Sequence, residues 1–178
     1  MYPTNYDVIV AGGGPSGIAA AVAAARQGVS VALIERYGIL GGMLTSGHVN
    51  PVLGSASEGT MADELMALLC RQEATSRNGV ERSVDPEEAK TLLLRFAADA
   101  GVHIYLQTPV VDVIKDGRRV TGLMVGTQDG LVSLYGKTVI DATGDGFVSV
   151  RAGAQAWIGR ETDGRTIVPS ACNVQGVA

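Results

Sequence analysis

From Asp7 to Glu35 the chain changes rhythm twice. A short apolar run (Val8, Ile9, Val10) meets a glycine turn, an alanine-rich stretch follows from Ile18 to Ala25, and a second apolar run (Val29, Val31, Leu33, Ile34) ends at Glu35. Short apolar runs bounded by turns read as buried strands and the longer middle stretch as a helix, so the pattern predicts a β–α–β unit. The next segment, from Arg36 to Thr60, is rich in glycine and keeps no sustained period. Apolar residues then recur at helical spacing over Met61–Ala74, and Ser76–Ser83 is polar and expected to be exposed. A second helix is better marked: Asp85 can cap it, Pro86 suits its first turn, Glu88 completes a capping box, and Leu92, Leu93, Phe96, Ala97 and Ala100 make its apolar face.

Past Gly101 the period shortens to that of strands. The runs VHIYLQ, VVDVI, RVTGLMV, LVSLY and KTVID follow one another, with Asp116-Gly117 and Asp129-Gly130 as hairpin turns, which predicts a β meander. The last run leads into Asp141-Ala-Thr-Gly-Asp-Gly146 and a helix start over Phe147–Ala152, a second strand–turn–helix corner. Gly159–Ala178 shows no strong period. The expected division is therefore a domain over 1–158 and, over 159–178, a tail or the start of a region completed elsewhere.

Composition narrows the class. At 178 residues and 46% hydrophobic, the chain suits one domain with a sizeable core. Its longest apolar stretch, Ile18–Ala25, is far short of a membrane span, and MYPTNYD lacks the basic-then-apolar order of a secretory leader, so a cytoplasmic location and no membrane partner are expected. A net charge of −4 and the lack of any basic run argue against a nucleic-acid partner. Cys70 and Cys172 are too far apart for a redox pair or zinc knuckle and are expected as buried thiols, with no metal site.

The first turn has the chemistry of a dinucleotide cradle. Gly12 permits a tight exit from the strand, Gly14 lacks the Cβ that would block approach to phosphates, and Gly17 lets the helix lie against the sheet. First-turn amides and the positive end of the helix dipole hold an anion without lysine. Pro15 fits the first turn because its missing N–H would have no helical partner there, and Ser16 offers a hydroxyl or amide. Glu35, about 20 residues past the glycines, suits ribose hydroxyls and would repel a 2′-phosphate, which disfavours NADP. The long segment after Glu35 is expected to be a cofactor loop, since loops longer than about 12–15 residues in compact domains tend to be functional or disordered.

In order and spacing, GGGPSGIAAAVAAARQG, ERYGILGGM and DATGDG together resemble the N-terminal portion of FAD-dependent oxidoreductases with a glutathione-reductase-type nucleotide-binding fold. The resemblance implies a three-layer α/β Rossmann-like domain, with a parallel sheet, flanking helices and a β meander, that binds FAD. It places the FAD diphosphate on Gly12, Gly14 and Gly17, adenosine ribose on Glu35, and Arg36 beside adenine or ribose. It runs Gly41, Gly42 and Met43 toward the flavin, sets Val110 against adenine through main-chain atoms, and lays Ala142, Thr143, Gly144 and Asp145 beside the adenosine half. Members of the group run on past this length with a substrate domain and a late Gly-Asp segment at the flavin end. A second chain or a homo-oligomer is thus a candidate to complete the site.

Catalytic candidates are sparse. His48 is the titratable side chain in the loop expected near the flavin, set against the plainer reading of a surface or packing histidine. Thr45, Ser46 and Asn50 are able to reach a ribityl chain, yet are also ordinary loop formers. His103 and Trp157 are expected to be structural. No CxxxxC follows Gly42-Met43, which leaves a disulfide-reductase mechanism unsupported. The expected activity is hydride transfer between a small molecule and flavin; the alternative is a non-catalytic nucleotide-binding subunit that holds the AMP half of FAD or NAD and needs a partner.

Overall fold

The computed structural model describes residues 3–52, 54, 56–70, 73–76, 79–158 and 172–175. The β–α–β opening forms as β1 (Asn5–Ala11), α1 (Pro15–Ala25) and β2 (Val31–Ile34), with β1 and β2 parallel and Val10 opposite Leu33. Beside β2 lies β6 (His103–Tyr105), also parallel, and on the other side of β1 lies β9 (Gly130–Asp141). β7 (Val110–Asp116) and β8 (Arg119–Thr127) continue antiparallel, so the sheet runs β6-β2-β1-β9-β8-β7.

Alternation along the parallel strands builds two cores. Val31 and Leu33 join Val10, Ile18 and Leu93 under the helices, while Ala32 and Ile34 join Ile9, Leu123, Val125 and Leu134 on the meander side. Leu33 and Ile34, adjacent in sequence and wholly buried on opposite faces, each contribute about 1.5–3 kcal/mol through lost apolar surface. Helices, parallel sheet and meander are the three layers expected.

The runs LVSLY and KTVID, read as separate strands, are one. β9 pairs with β8 through Gly130–Tyr135 and with β1 through Tyr135–Asp141, changing partners where Gly136 passes Ile9. A Cβ on Gly136 would come within 2.9 Å of the Ile9 side chain, so glycine lets the strand cross there. At the entry end, Asp7 accepts hydrogen bonds from the Ser30 amide and hydroxyl and pairs with Lys137 at 2.6 Å, tying β1, β2 and β9 together. The Lys137 ammonium, with the Ser30 bonds, holds the Asp7 carboxyl well below the usual range.

The middle of the chain departs from expectation. α2 (Met61–Leu69) stops at Cys70 instead of reaching Ala74, and the chain beyond it forms β4 (Glu73–Ser76) and β5 (Gly79–Ser83), which pair with β3 (Pro51–Val52). Cys70 is extended and caps the helix. The polar residues of β4 and β5 carry no apolar period because these strands are ordered by main-chain pairing, which leaves no side-chain signature. α3 (Pro86–Asp99) starts where its signals lie: Asp85 Oδ1 accepts from the amides of Glu87 and Glu88. α4 (Phe147–Ala152) follows the second corner, and β10 (Gln155–Ile158) pairs with β11 (Cys172–Gln175). The side chains of Trp157 and Cys172, expected to be packed, lie outside the described residues.

Candidate dinucleotide site

β1 and β9 are neighbours, so both strand–turn–helix corners open at the same end of the sheet. The turn between β1 and α1 is shaped by contacts that crowd Gly12, Gly13 and Gly17 and leave Gly14 free, with Leu40 and Glu35 side chains close at Gly13. Gly12 has φ +104°, and a Cβ there would collide with the Ala142 carbonyl. A Cβ on Gly17 would collide with the Gly12 carbonyl oxygen. Gly14 differs: its backbone is extended (φ −73°, ψ 178°) and nothing lies within 4 Å of an added Cβ. No internal contact requires glycine at 14, so its bare Cα faces open space in front of α1.

No side chain caps α1. Pro15 has no N–H, the Ile18 amide bonds back to Gly14, and the amides of Ser16 and Gly17 have no partner inside the helix. Ser16 is exposed and Gly17 buried. A bare approach surface, first-turn donors and the positive end of an eleven-residue helix fit the diphosphate of a dinucleotide.

Glu35 stands behind this turn, 5% exposed. Its Oε2 accepts from the Gly13 amide at 2.7 Å and its Oε1 from the Tyr37 amide at 2.8 Å. The carboxylate therefore braces the glycine turn from below, a duty the sequence reading missed, although the run of three glycines with an amide to spare at Gly13 was a usable sign. Each carboxylate oxygen keeps a second lone pair for a ribose hydroxyl. Two further strands of support went unread. The Thr108 amide bonds the Glu35 carbonyl and the Gln107 amide bonds the Tyr37 carbonyl, with Gln107 at φ +52°. Val110 begins β7 two residues on, which brings it to the Glu35 end of the sheet. Arg36 is exposed, its guanidinium 4.9 Å from the centre of the Tyr37 ring.

The loop after β2 folds back onto the turn. The Gly41 amide bonds the Gly13 carbonyl, and a Cβ on Gly42 would lie 3.0 Å from Gly14 Cα, so the two glycine segments touch backbone to backbone. Thr45, fully buried, donates to the Leu40 carbonyl at 2.7 Å and Asn50 donates to the Leu44 carbonyl. Both are thus committed to the loop itself. Ser46 Oγ, in the same loop, is buried with no hydrogen-bond partner among the described residues. Met43 is 60% exposed, and the Val49 amide bonds its carbonyl, so His48 stands exposed at the tip of a turn with φ +52°.

The second corner closes on itself. Asp141 Oδ1 accepts from the amide and hydroxyl of Thr143, and Oδ2 from those of Ser149. Burial raises the Asp141 pKa, but these four donors outweigh it and hold the carboxyl below its ordinary value. The Phe147 amide bonds Thr143 Oγ1 at 2.9 Å and, more loosely, Asp145 Oδ1 at 3.3 Å. Ala142 packs on the first turn, its amide bonding the Ala11 carbonyl, while Gly144 (φ +86°) and Asp145 are exposed. His103 lies at the far end of the sheet, its Nδ1 3.1 Å from the Tyr6 hydroxyl. Among the described residues no group of three or more His, Cys, Asp or Glu is arranged to hold a metal, and no helix is long and apolar enough to cross a membrane.

Comparison with known proteins agrees with this geometry. Digeranylgeranylglycerophospholipid reductase from Picrophilus torridus is 29% identical over 82% of the chain and 40% of its own length. Thiamine thiazole synthase from Aeropyrum pernix is 35% identical over 82% of the chain and 57% of its own length. The chain thus spans about half the length of these curated relatives. Among solved structures, THI4 from Thermovibrio ammonificans superposes with a TM-score of 0.68 at 26% identity, covering 87% of this chain and 66% of that one. Residues 7–177 match the description of the FAD dependent oxidoreductase family, and the chain belongs to that family.

Proposed function

We propose that the chain forms the FAD-holding part of an oxidoreductase that passes hydride between a small molecule and the flavin. The observation that carries this reading is Gly14: an extended glycine with open space before it, at the mouth of a helix that no side chain caps. In this reading the amides of Ser16 and Gly17 hold the diphosphate, Glu35 takes the ribose while bracing Gly13, Val110 and the Arg36–Tyr37 pair flank adenine, and Gly41, Gly42 and Met43 lead toward the flavin. Ala142, Gly144 and Asp145 border the adenosine half. The bound flavin supplies the two-electron chemistry, and the protein supplies position and electrostatics.

Reconstitution with FAD tests the reading. Flavin absorbance that stays with the protein, bleaches with reductant and recovers with an electron acceptor supports it. Gly14→Val should weaken FAD binding by about tenfold or more while leaving the melting temperature in place, since a Cβ added at 14 has no protein atom within 4 Å. Equal FAD affinity in Gly14→Val would remove the cradle from the mechanism.

A second reading has its own support. Met43 and Val49, 60% and 47% exposed, present apolar surface beside the cradle, and the curated relatives are longer. On this reading the chain is a nucleotide-binding module whose flavin end is closed by another chain or a second copy. FAD and ADP binding with equal affinity, with no turnover until a partner is added, would favour it.

A further inference from the structure

Between α1 and α2, directly behind the cofactor turn, lies a cavity of about 500 Å³. The cleft opens to solvent at one side, and its volume falls in the range of roughly 300–1,000 Å³ that small-molecule sites occupy. The gap has a clear origin. Arg26, just past α1, holds Glu64 of α2 through two bonds of 2.7 and 2.6 Å and lies over the Phe96 ring, which pins the helices together at that end. Ala19 of α1 and the exposed Ala62 of α2 line the gap with side chains too short to fill it, and Leu65, Met66 and Leu69 line it further along α2.

Two features define what fits. The wall is hydrocarbon: among the described lining residues none is charged, and Ser16, at the mouth, supplies the hydroxyl. The cavity also shares a partition with the dinucleotide cradle. Pro15 lines it, and Leu44, which lines it too, belongs to the short 3₁₀ turn whose Gly42 rests on Gly14 and Pro15. We propose that this cavity is a second ligand site that takes an apolar hydrocarbon chain, the non-polar part of the small molecule that meets the cofactor. That the chain-bearing molecule is the redox substrate rests on the flavoprotein reading; that hydrocarbon binds here does not. An extended peptide would bring amide groups that this wall cannot satisfy, at a cost an alkyl or polyene chain avoids. Met66 adds an unbranched, adaptable side chain that moulds to such a ligand.

The test is a titration of the full chain with cis-parinaric acid, whose fluorescence rises on transfer to an apolar site, run with and without saturating FAD. Wild type should bind it saturably. Ala62→Phe, which places a ring in the gap, should weaken that binding by about tenfold or more and leave FAD affinity unchanged, with Ala62→Met as the gentler variant if the ring impairs folding. No saturable binding to wild type, or equal binding in the filled variants, would overturn the proposal. So would a wild-type dimer in sedimentation that Ala62→Phe dissociates, since a second copy would then be the occupant. Parinarate binding without FAD binding would sink the flavoprotein reading and leave the cavity standing; the reverse result would do the opposite.

Discussion

The two strand–turn–helix corners of this chain stand side by side, and they use their donors in opposite ways. After β1, the buried carboxylate of Glu35 supports the turn from behind and leaves the helix mouth uncapped. After β9, Asp141, Thr143 and Asp145 turn inward and take up the amides of Thr143, Phe147 and Ser149. One corner keeps its positive end open to a ligand; the other neutralises it with its own acids. A strand, a glycine turn and a helix are therefore insufficient to define an anion site. The deciding feature is whether the protein has already occupied the donors.

Substitutions can break this contrast in graded steps. The largest effect is expected from Gly17→Ala, because the new Cβ collides with the Gly12 carbonyl: stability should fall by about 3 kcal/mol, lowering the melting temperature by roughly 10 °C, and FAD binding should fail with it. Glu35→Ala comes next. Loss of charge-assisted bonds, worth about 1.5–3 kcal/mol, should weaken FAD affinity and also loosen the Gly13 turn, seen by calorimetry as a lower affinity and a lower melting temperature together. An affinity loss with no change in stability would show that the brace at Gly13 contributes nothing.

Asp141→Asn should do the converse, reducing stability by about 1–2 kcal/mol at neutral pH with a smaller effect on FAD affinity. Its pH dependence has a definite sign. The folded-state pKa is depressed, so the stabilisation is complete above the unfolded-state value of about 3.9 and is lost as the pH falls through the folded-state value. The gap in melting temperature between wild type and Asp141→Asn should therefore close on acidification below about pH 4. A gap that widens would reverse the assignment.

What could be read in the sequence was whatever left a local mark. Gly12, Gly14, Gly17 and Glu35 announced the first corner by spacing, Asp85 and Pro86 announced α3, and the apolar run through Val31, Leu33 and Ile34 matched a buried strand. The elements that went unread depend on contacts distant in the chain. β4 and β5 exist through ladder pairing, and α2 yields to an extended residue at Cys70 although the helical period runs on. Gly136 looked like a strand end because a glycine between apolar runs marks a turn as readily as a crossing point. The second duty of Glu35 and the inward bonds of Asp141 were hidden for the same reason: the residue type states what can be accepted, and only the fold states from whom.

The change of partners along β9 ties the life of one layer to the other. A meander held by its own hairpins would be free to detach and re-form while the parallel sheet stayed intact. Here the same unbroken strand supplies rungs to both ladders, so opening either one pulls on the other, and the layers are expected to melt as a single cooperative unit.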